Sequence, residues 1–125
     1  MFREASRRKT DPGSKMSVSI RVTDCVYGRP AGGLSVSLSR ELDGVAVKQW
    51  RDQTDEDGCI SGLTKPPLVP GSYILEIDLE SYFRALGYES LNSAVSVRFR
   101  VTDESGHYGL SVFVTPAGCM ALRED

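Results

Sequence analysis

The sequence predicts an all-β fold: a sandwich or barrel of eight strands with one short helix between the fifth strand and the sixth. Three observations carry that prediction. Polar and apolar residues alternate with a period of two through most of the chain, turn clusters interrupt the alternation at short intervals, and a single stretch of about two turns carries helix signals at both ends. At 125 residues the chain fits one domain, large enough to bury a core without disulfides or metal to hold it.

The elements follow in order. Residues 17–23 (SVSIRVT) alternate strictly and form the first strand, half buried. Gly28, Pro30, Gly32 and Gly33 break the pattern before 34–40 (LSVSLSR) resumes it. Asp43-Gly44, a short hairpin signal, leads into a third strand over 45–51. The turn Asp55-Glu56-Asp57-Gly58 precedes a short fourth strand over 59–63, and the turns at Pro66-Pro67 and Pro70-Gly71 precede the fifth over 72–77. Asp78 can cap a helix over 79–86 by accepting from its first backbone N–H groups, and Gly87 can end it in a left-handed conformation. The sixth strand, 94–101, points Val95, Val97, Phe99 and Val101 inward; the seventh and eighth cover 108–115 and 119–123, separated by Pro116-Ala117-Gly118.

Composition narrows the partners. With 40% hydrophobic and 26% charged residues, the chain is globular, and no apolar run approaches the roughly 18 residues of a membrane span. The net charge of −2 is unevenly spread: residues 1–15 hold five cations against two acids, which leaves −5 for the remainder. An acidic domain lacks the clustered basic face that nucleic acid needs, so neither nucleic acid nor membrane is an expected partner. Residues 1–15 read as a disordered basic leader, too poor in apolar residues to offset ordering entropy and without the apolar segment of a secretory signal. Residues 16–125 form the domain. Cys25, Cys59 and Cys119 are odd in number and lack metal-ligand spacing, which fits free thiols in a reducing cytoplasm. The acids at 55–57 sit in a Gly-containing turn, where carboxylates cap backbone groups far more often than they bind metal; no metal and no cofactor are expected.

Four motifs in shared order give the chain a family resemblance. Val22-Thr23-Asp24, Gly28-Arg29-Pro30-Ala31, Thr54-Asp55-Glu56-Asp57-Gly58 and Pro70-Gly71-Ser72-Tyr73 resemble the motifs of the transthyretin-like proteins, which include the 5-hydroxyisourate hydrolases, and Tyr82-Phe83 resembles the Y-F pair of the family helix. His107-Tyr108 through Thr115-Pro116 matches that family's H-Y-H-V-P-L-L-L-S-P segment in length. The resemblance covers residues 16–125. It implies a transthyretin-like (prealbumin-like) two-sheet sandwich, a homotetramer built as a dimer of dimers, and a small-molecule site in the channel between subunits.

The resemblance also implies that the hydrolases' chemistry is lost. Their first histidine corresponds to Arg21, the arginine after T-x-x-D-G to Cys59, the second histidine of H-Y-H to Gly109, and the C-terminal Y-R-G-S to Leu122-Arg123-Glu124-Asp125. His107 keeps one imidazole. Arginine stays protonated near neutral pH and cannot shuttle a proton as imidazole does, though it can hold an oxyanion. Each well-placed acid or base is worth roughly 10²–10⁴-fold in rate, so hydroxyisourate hydrolysis is not expected.

Strand parity independently groups the candidates. Arg21 and Thr23 share one side of the first strand, Gly109 and Ser111 one side of the seventh, and Met120, Leu122 and Glu124 one side of the eighth. Taken with the positions that the resemblance implies, Arg21, Cys59, Glu124 and Asp125 are the candidate catalytic residues, and Thr23, Gly109, Ser111, Met120 and Leu122 the candidate lining. Each has an ordinary reading beside the functional one: Arg21 as a solvated strand residue, Cys59 as a small packing residue, His107 as part of a turn. Two functions compete. The first is a hydrolase relative repurposed for a cyclisation, ring opening or rearrangement of another small molecule, as in specialised metabolism; the second is a non-catalytic binding or assembly protein.

Overall fold

The computed structural model describes residues 17–63, 69–102 and 107–124. The expected leader and the Pro66-Pro67 turn lie outside them. Two sheets pack face to face. The strands are β1 (Ser17–Asp24), β2 (Arg29–Pro30), β3 (Ser35–Leu42), β4 (Val45–Gln53), β5 (Cys59–Leu63), β6 (Gly71–Asp78), β7 (Ala94–Val101), β8 (His107–Thr115) and β9 (Gly118–Glu124), with helix α1 (Leu79–Ala85) between β6 and β7. One sheet runs β2-β1-β8-β9 with β5 also paired to β1; the other runs β4-β3-β6-β7.

All eight expected strands are present, joined by the two-residue β2 that the glycines and proline around it concealed. Pro30 has no N–H to give a ladder, yet at a sheet edge it pairs opposite Thr23, with Arg29 opposite Asp24. Asp43 and Gly44 take left-handed φ values of 52° and 79°, as the predicted two-residue hairpin requires. Gly58 has φ 75°, and a Cβ there would come within 2.5 Å of the Val22 carbonyl oxygen, so the turn before β5 lies directly on β1. The helix begins as predicted, with the Asp78 carboxylate accepting from the Ser81 N–H at 3.1 Å, and it ends one residue early, at Ala85.

The alternation explains the core. Val18, Ile20 and Val22 of β1 face Val36 and Leu38 of β3 and Tyr73, Leu75 and Ile77 of β6 across the sandwich, with Leu110, Val112 and Val114 of β8 beside them; all are buried. Leu79 and Phe83 of α1 close the cluster. Asp24 continues the inward parity of β1 and is fully buried, a position that demands partners for its carboxylate. It has them: the backbone N–H groups of Val26 and Tyr27 donate at 2.8 and 3.2 Å, and the Tyr82 hydroxyl of α1 donates at 2.8 Å. Burial first, and the hydrogen bond to Asp24 second, push the Tyr82 phenol up to about 12.

Candidate functional site

The register of β1, β8 and β9 decides which outward side chains meet. β1 and β8 run parallel, with Ser19 opposite Gly109, Arg21 opposite Ser111 and Thr23 opposite Phe113. β8 and β9 run antiparallel, with Gly109 opposite Glu124, Ser111 opposite Leu122 and Phe113 opposite Met120. Cys59 of β5 pairs with Arg21 from the other side. Three rows thus cross the face: Ser19, Gly109 and Glu124; Cys59, Arg21, Ser111 and Leu122; Thr23, Phe113 and Met120.

Glu124 joins two of these rows. Its Oε2 lies 3.3 Å from Nη2 of Arg21 and also accepts from the Ser111 hydroxyl. Gly109 makes this possible. A Cβ at that position would stand 3.2 Å from the Glu124 carbonyl oxygen and 3.6 Å from its Cβ, tight enough to force the neighbouring strand to give. The Arg21 and Glu124 side chains remain 47% and 37% exposed, and a pair so hydrated contributes only about 0–1 kcal/mol to folding. Chemically the cluster sets a fixed cation, a carboxylate and a hydroxyl within one hydrogen-bonded group.

Cys59 is placed near this cluster but is not activated by it. Cys59 is only 7% exposed, and its thiol bonds to the Asp57 carbonyl oxygen at 3.5 Å. Burial pushes its pKa up, Asp55 adds to the rise, and Asp57 and Glu124 act in the same direction; the Arg21 cation opposes them without prevailing. A thiol held protonated suits packing more than attack. His107 lies at the start of β8, where its Nδ1 and the Ser17 hydroxyl share a hydrogen bond of 2.6 Å and burial holds the imidazole below its ordinary value. Arg123 falls on the opposite parity from Glu124 and stacks over the Tyr108 ring at 4.1 Å, so it does not join the candidate face. Asp125 lies outside the described residues.

Beyond the polar cluster lie apolar side chains. Met120 and Leu122 are 58% and 53% exposed on β9, beside Phe113 and the partly buried Thr23. Phe113 was missing from the predicted lining although it shares the parity of Gly109 and Ser111, a signal already present in the sequence. The hollows of 310 and 480 Å³ lined by Arg51 lie on the other sheet and include none of these residues. On this face Ser19, Gly109 and Ser111 are buried, whereas Arg21, Met120 and Leu122 are exposed. Among the described residues no group of three or more His, Cys, Asp or Glu side chains is arranged to hold a metal ion, and no helix is long and apolar enough to cross a membrane.

Comparison with known proteins agrees with this geometry. The family model described as HIUase/Transthyretin family matches residues 18–123. A mouse 5-hydroxyisourate hydrolase is 34% identical over 104 residues, 79% of this chain and 86% of that protein. The structure of Klebsiella pneumoniae 5-hydroxyisourate hydrolase superposes with a TM-score of 0.76 at 27% identity, covering 88% of this chain and 99% of that one. Sea bream transthyretin in complex with thyroxine superposes with a TM-score of 0.79 at 24% identity, over 86% and 93% of the two chains, a likeness of fold.

Proposed function

The chain belongs to the HIUase/Transthyretin family, and from that premise we propose that it is a divergent member repurposed to act on a small heterocycle other than hydroxyisourate. The observation that carries the proposal is the Glu124 carboxylate, shared by Arg21 and Ser111 over the bare backbone of Gly109. In this reading Glu124 accepts a proton from a ring N–H or from water, Arg21 stabilises the oxygen on which negative charge develops, and Ser111 fixes the carboxylate's direction. A cyclisation, ring opening or rearrangement needs just such a base beside an oxyanion holder. His107 is tied to Ser17 at the start of β8 and, in this reading, takes no part.

The face works, on this proposal, as a channel between copies in a homotetramer, a dimer of dimers, in the cytoplasm. Two features support assembly: among the described residues β7 and β9 each pair with a single neighbouring strand, and Met120 and Leu122 stand exposed beside the polar cluster. The same apolar row favours a second reading, a binder that holds an aromatic ligand without changing it, as the thyroxine complex of sea bream transthyretin illustrates for that protein.

Incubation with a panel of lactam, imide and ureide heterocycles, followed by ultraviolet spectroscopy, separates the two. Consumption of a panel member with little turnover of freshly generated hydroxyisourate is the expected result. A ligand that raises the melting temperature and is recovered unchanged favours the binder. Rapid hydrolysis of hydroxyisourate overturns the proposal of a changed substrate.

A further inference from the structure

We infer that the outer face of the second sheet holds a separate binding site for a small zwitterion of amino-acid type, its carboxylate held by Lys48 and Arg51 and its ammonium by Glu76 and Asp78. The site lies on the other sheet from Arg21 and Glu124 and does not depend on what that face does. Register builds it. Ser37 of β3 stands opposite Arg51 of β4 on one side and Glu76 of β6 on the other, while its chain neighbours Val36 and Leu38 are buried in the core, so all three side chains of this row belong to the outer face. With strands about 4.8 Å apart, a cation and an acid flank one serine at roughly 10 Å between their Cα atoms. Lys48 extends the basic wall and Asp78 the acidic one around a hollow of 310 Å³, the low end of small-ligand sites.

These charges are not matched within the chain. Among the described residues the ion pairs are Arg21–Glu124, Arg84–Glu80 and Arg98–Glu41, and Lys48, Arg51 and Glu76, all exposed, belong to none of them. Asp78 uses Oδ1 for the Ser81 N–H, which leaves Oδ2. The floor is a second, independent observation. Ser37 is only 8% exposed and lines the hollow, yet its hydroxyl has no hydrogen-bond partner among the described residues. Buried hydroxyls without a partner are uncommon, and the hollow is where one can approach. The opposed walls choose the ligand. A simple anion there lies close to Glu76 and Asp78, and a simple cation close to Lys48 and Arg51, so each forfeits to repulsion part of what it gains. A zwitterion meets both walls with the matching sign, in charge-assisted hydrogen bonds. An adjoining hollow of 480 Å³ shares Ser35, Arg51 and Asp78 and continues to Tyr82, Ala85 and Leu86, giving room for an apolar side chain.

L-Phenylalanine, 3-phenylpropionate and phenethylamine test this, because the second lacks only the ammonium of the first and the third only its carboxylate. Their binding to the full 125-residue chain is followed at low salt by ¹H–¹⁵N chemical-shift titration at residues of β3, β4 and β6. Phenylalanine is expected to bind about tenfold more tightly than either fragment, the scale of one hydrogen bond to a charged group. Arg51→Gln is expected to bring phenylalanine down to the level of phenethylamine, and Glu76→Gln to bring it down to that of 3-phenylpropionate. Ser37→Ala is expected to weaken phenylalanine by about fivefold without lowering the melting temperature, since the hydroxyl it removes has no partner within the chain. Either fragment binding the unaltered chain as tightly as phenylalanine overturns the inference. So does an order of affinities that survives both charge-removing variants, a Ser37→Ala chain that binds phenylalanine as tightly as the unaltered one, or the failure of all three probes to shift any resonance on this face.

Discussion

Cys59 and Gly109 show what single residues contribute to this face. Cys59 lies beside Arg21 in the register, yet burial and, after it, the neighbouring acids Asp55 and Asp57 raise its pKa above that of an ordinary thiol. At neutral pH it holds less thiolate than a solvated cysteine, so Cys59→Ser is expected to change turnover by less than about threefold. Iodoacetamide should likewise label it far more slowly than the exposed Cys25, as mass spectrometry of peptides would show. The parity of β1, β8 and β9 was legible in the sequence, and it put Arg21, Gly109, Ser111 and Glu124 on one side. Their contact was not legible, because it depends on a one-residue choice of register between strands far apart in the chain. The neutralised thiol was equally hidden: Asp55 and Asp57 precede Cys59 closely, but their effect depends on how the turn folds back over it.

At the scale of elements, helix α1 is fastened to the first sheet through Tyr82 and Asp24. Removing the Tyr82 hydroxyl leaves the buried carboxylate with its two backbone donors only. Tyr82→Phe is therefore expected to lower unfolding free energy by about 1–3 kcal/mol in urea denaturation, with the fold retained. The β1–β8 pairing carries a pH signature through His107, whose imidazole is held below 6.5 by burial. Because the unfolded chain takes up that proton first, the contribution of neutral His107 is fully present above about pH 6.5 and declines as pH falls below it. The drop in melting temperature between pH 7 and pH 5 is expected to be smaller in His107→Gln than in the unaltered chain. Strand positions were read from alternation and turn residues with little error. β2 escaped because a two-residue pairing has no periodicity, and Arg29-Pro30 between glycines reads as a turn.

For the whole molecule, β7 and β9, each paired with a single strand among the described residues, lie next to each other at the ends of the two sheets, and the face of the first sheet carries exposed Met120 and Leu122. If copies pair there, the oligomer should be stable at micromolar concentration. Light scattering during gel filtration would then report a mass near four chains, and Leu122→Glu would shift it toward smaller species while the single-chain fold persists. The family resemblance, drawn from four ordered motifs, anticipated the sandwich and the placement of the helix. Motifs of that kind report turns and core contacts, which relatives share whatever they catalyse. The residues on which the proposed function rests, Arg21, Ser111 and Glu124, lie outside those four motifs.

The most direct test of the central claim is the turnover of Glu124→Gln on whichever heterocycle the chain consumes. Loss of a positioned general base is expected to lower kcat by about 10²–10⁴-fold, with the melting temperature nearly unchanged because the exposed pair contributes little to folding. Undiminished turnover in a folded Glu124→Gln variant would contradict the account.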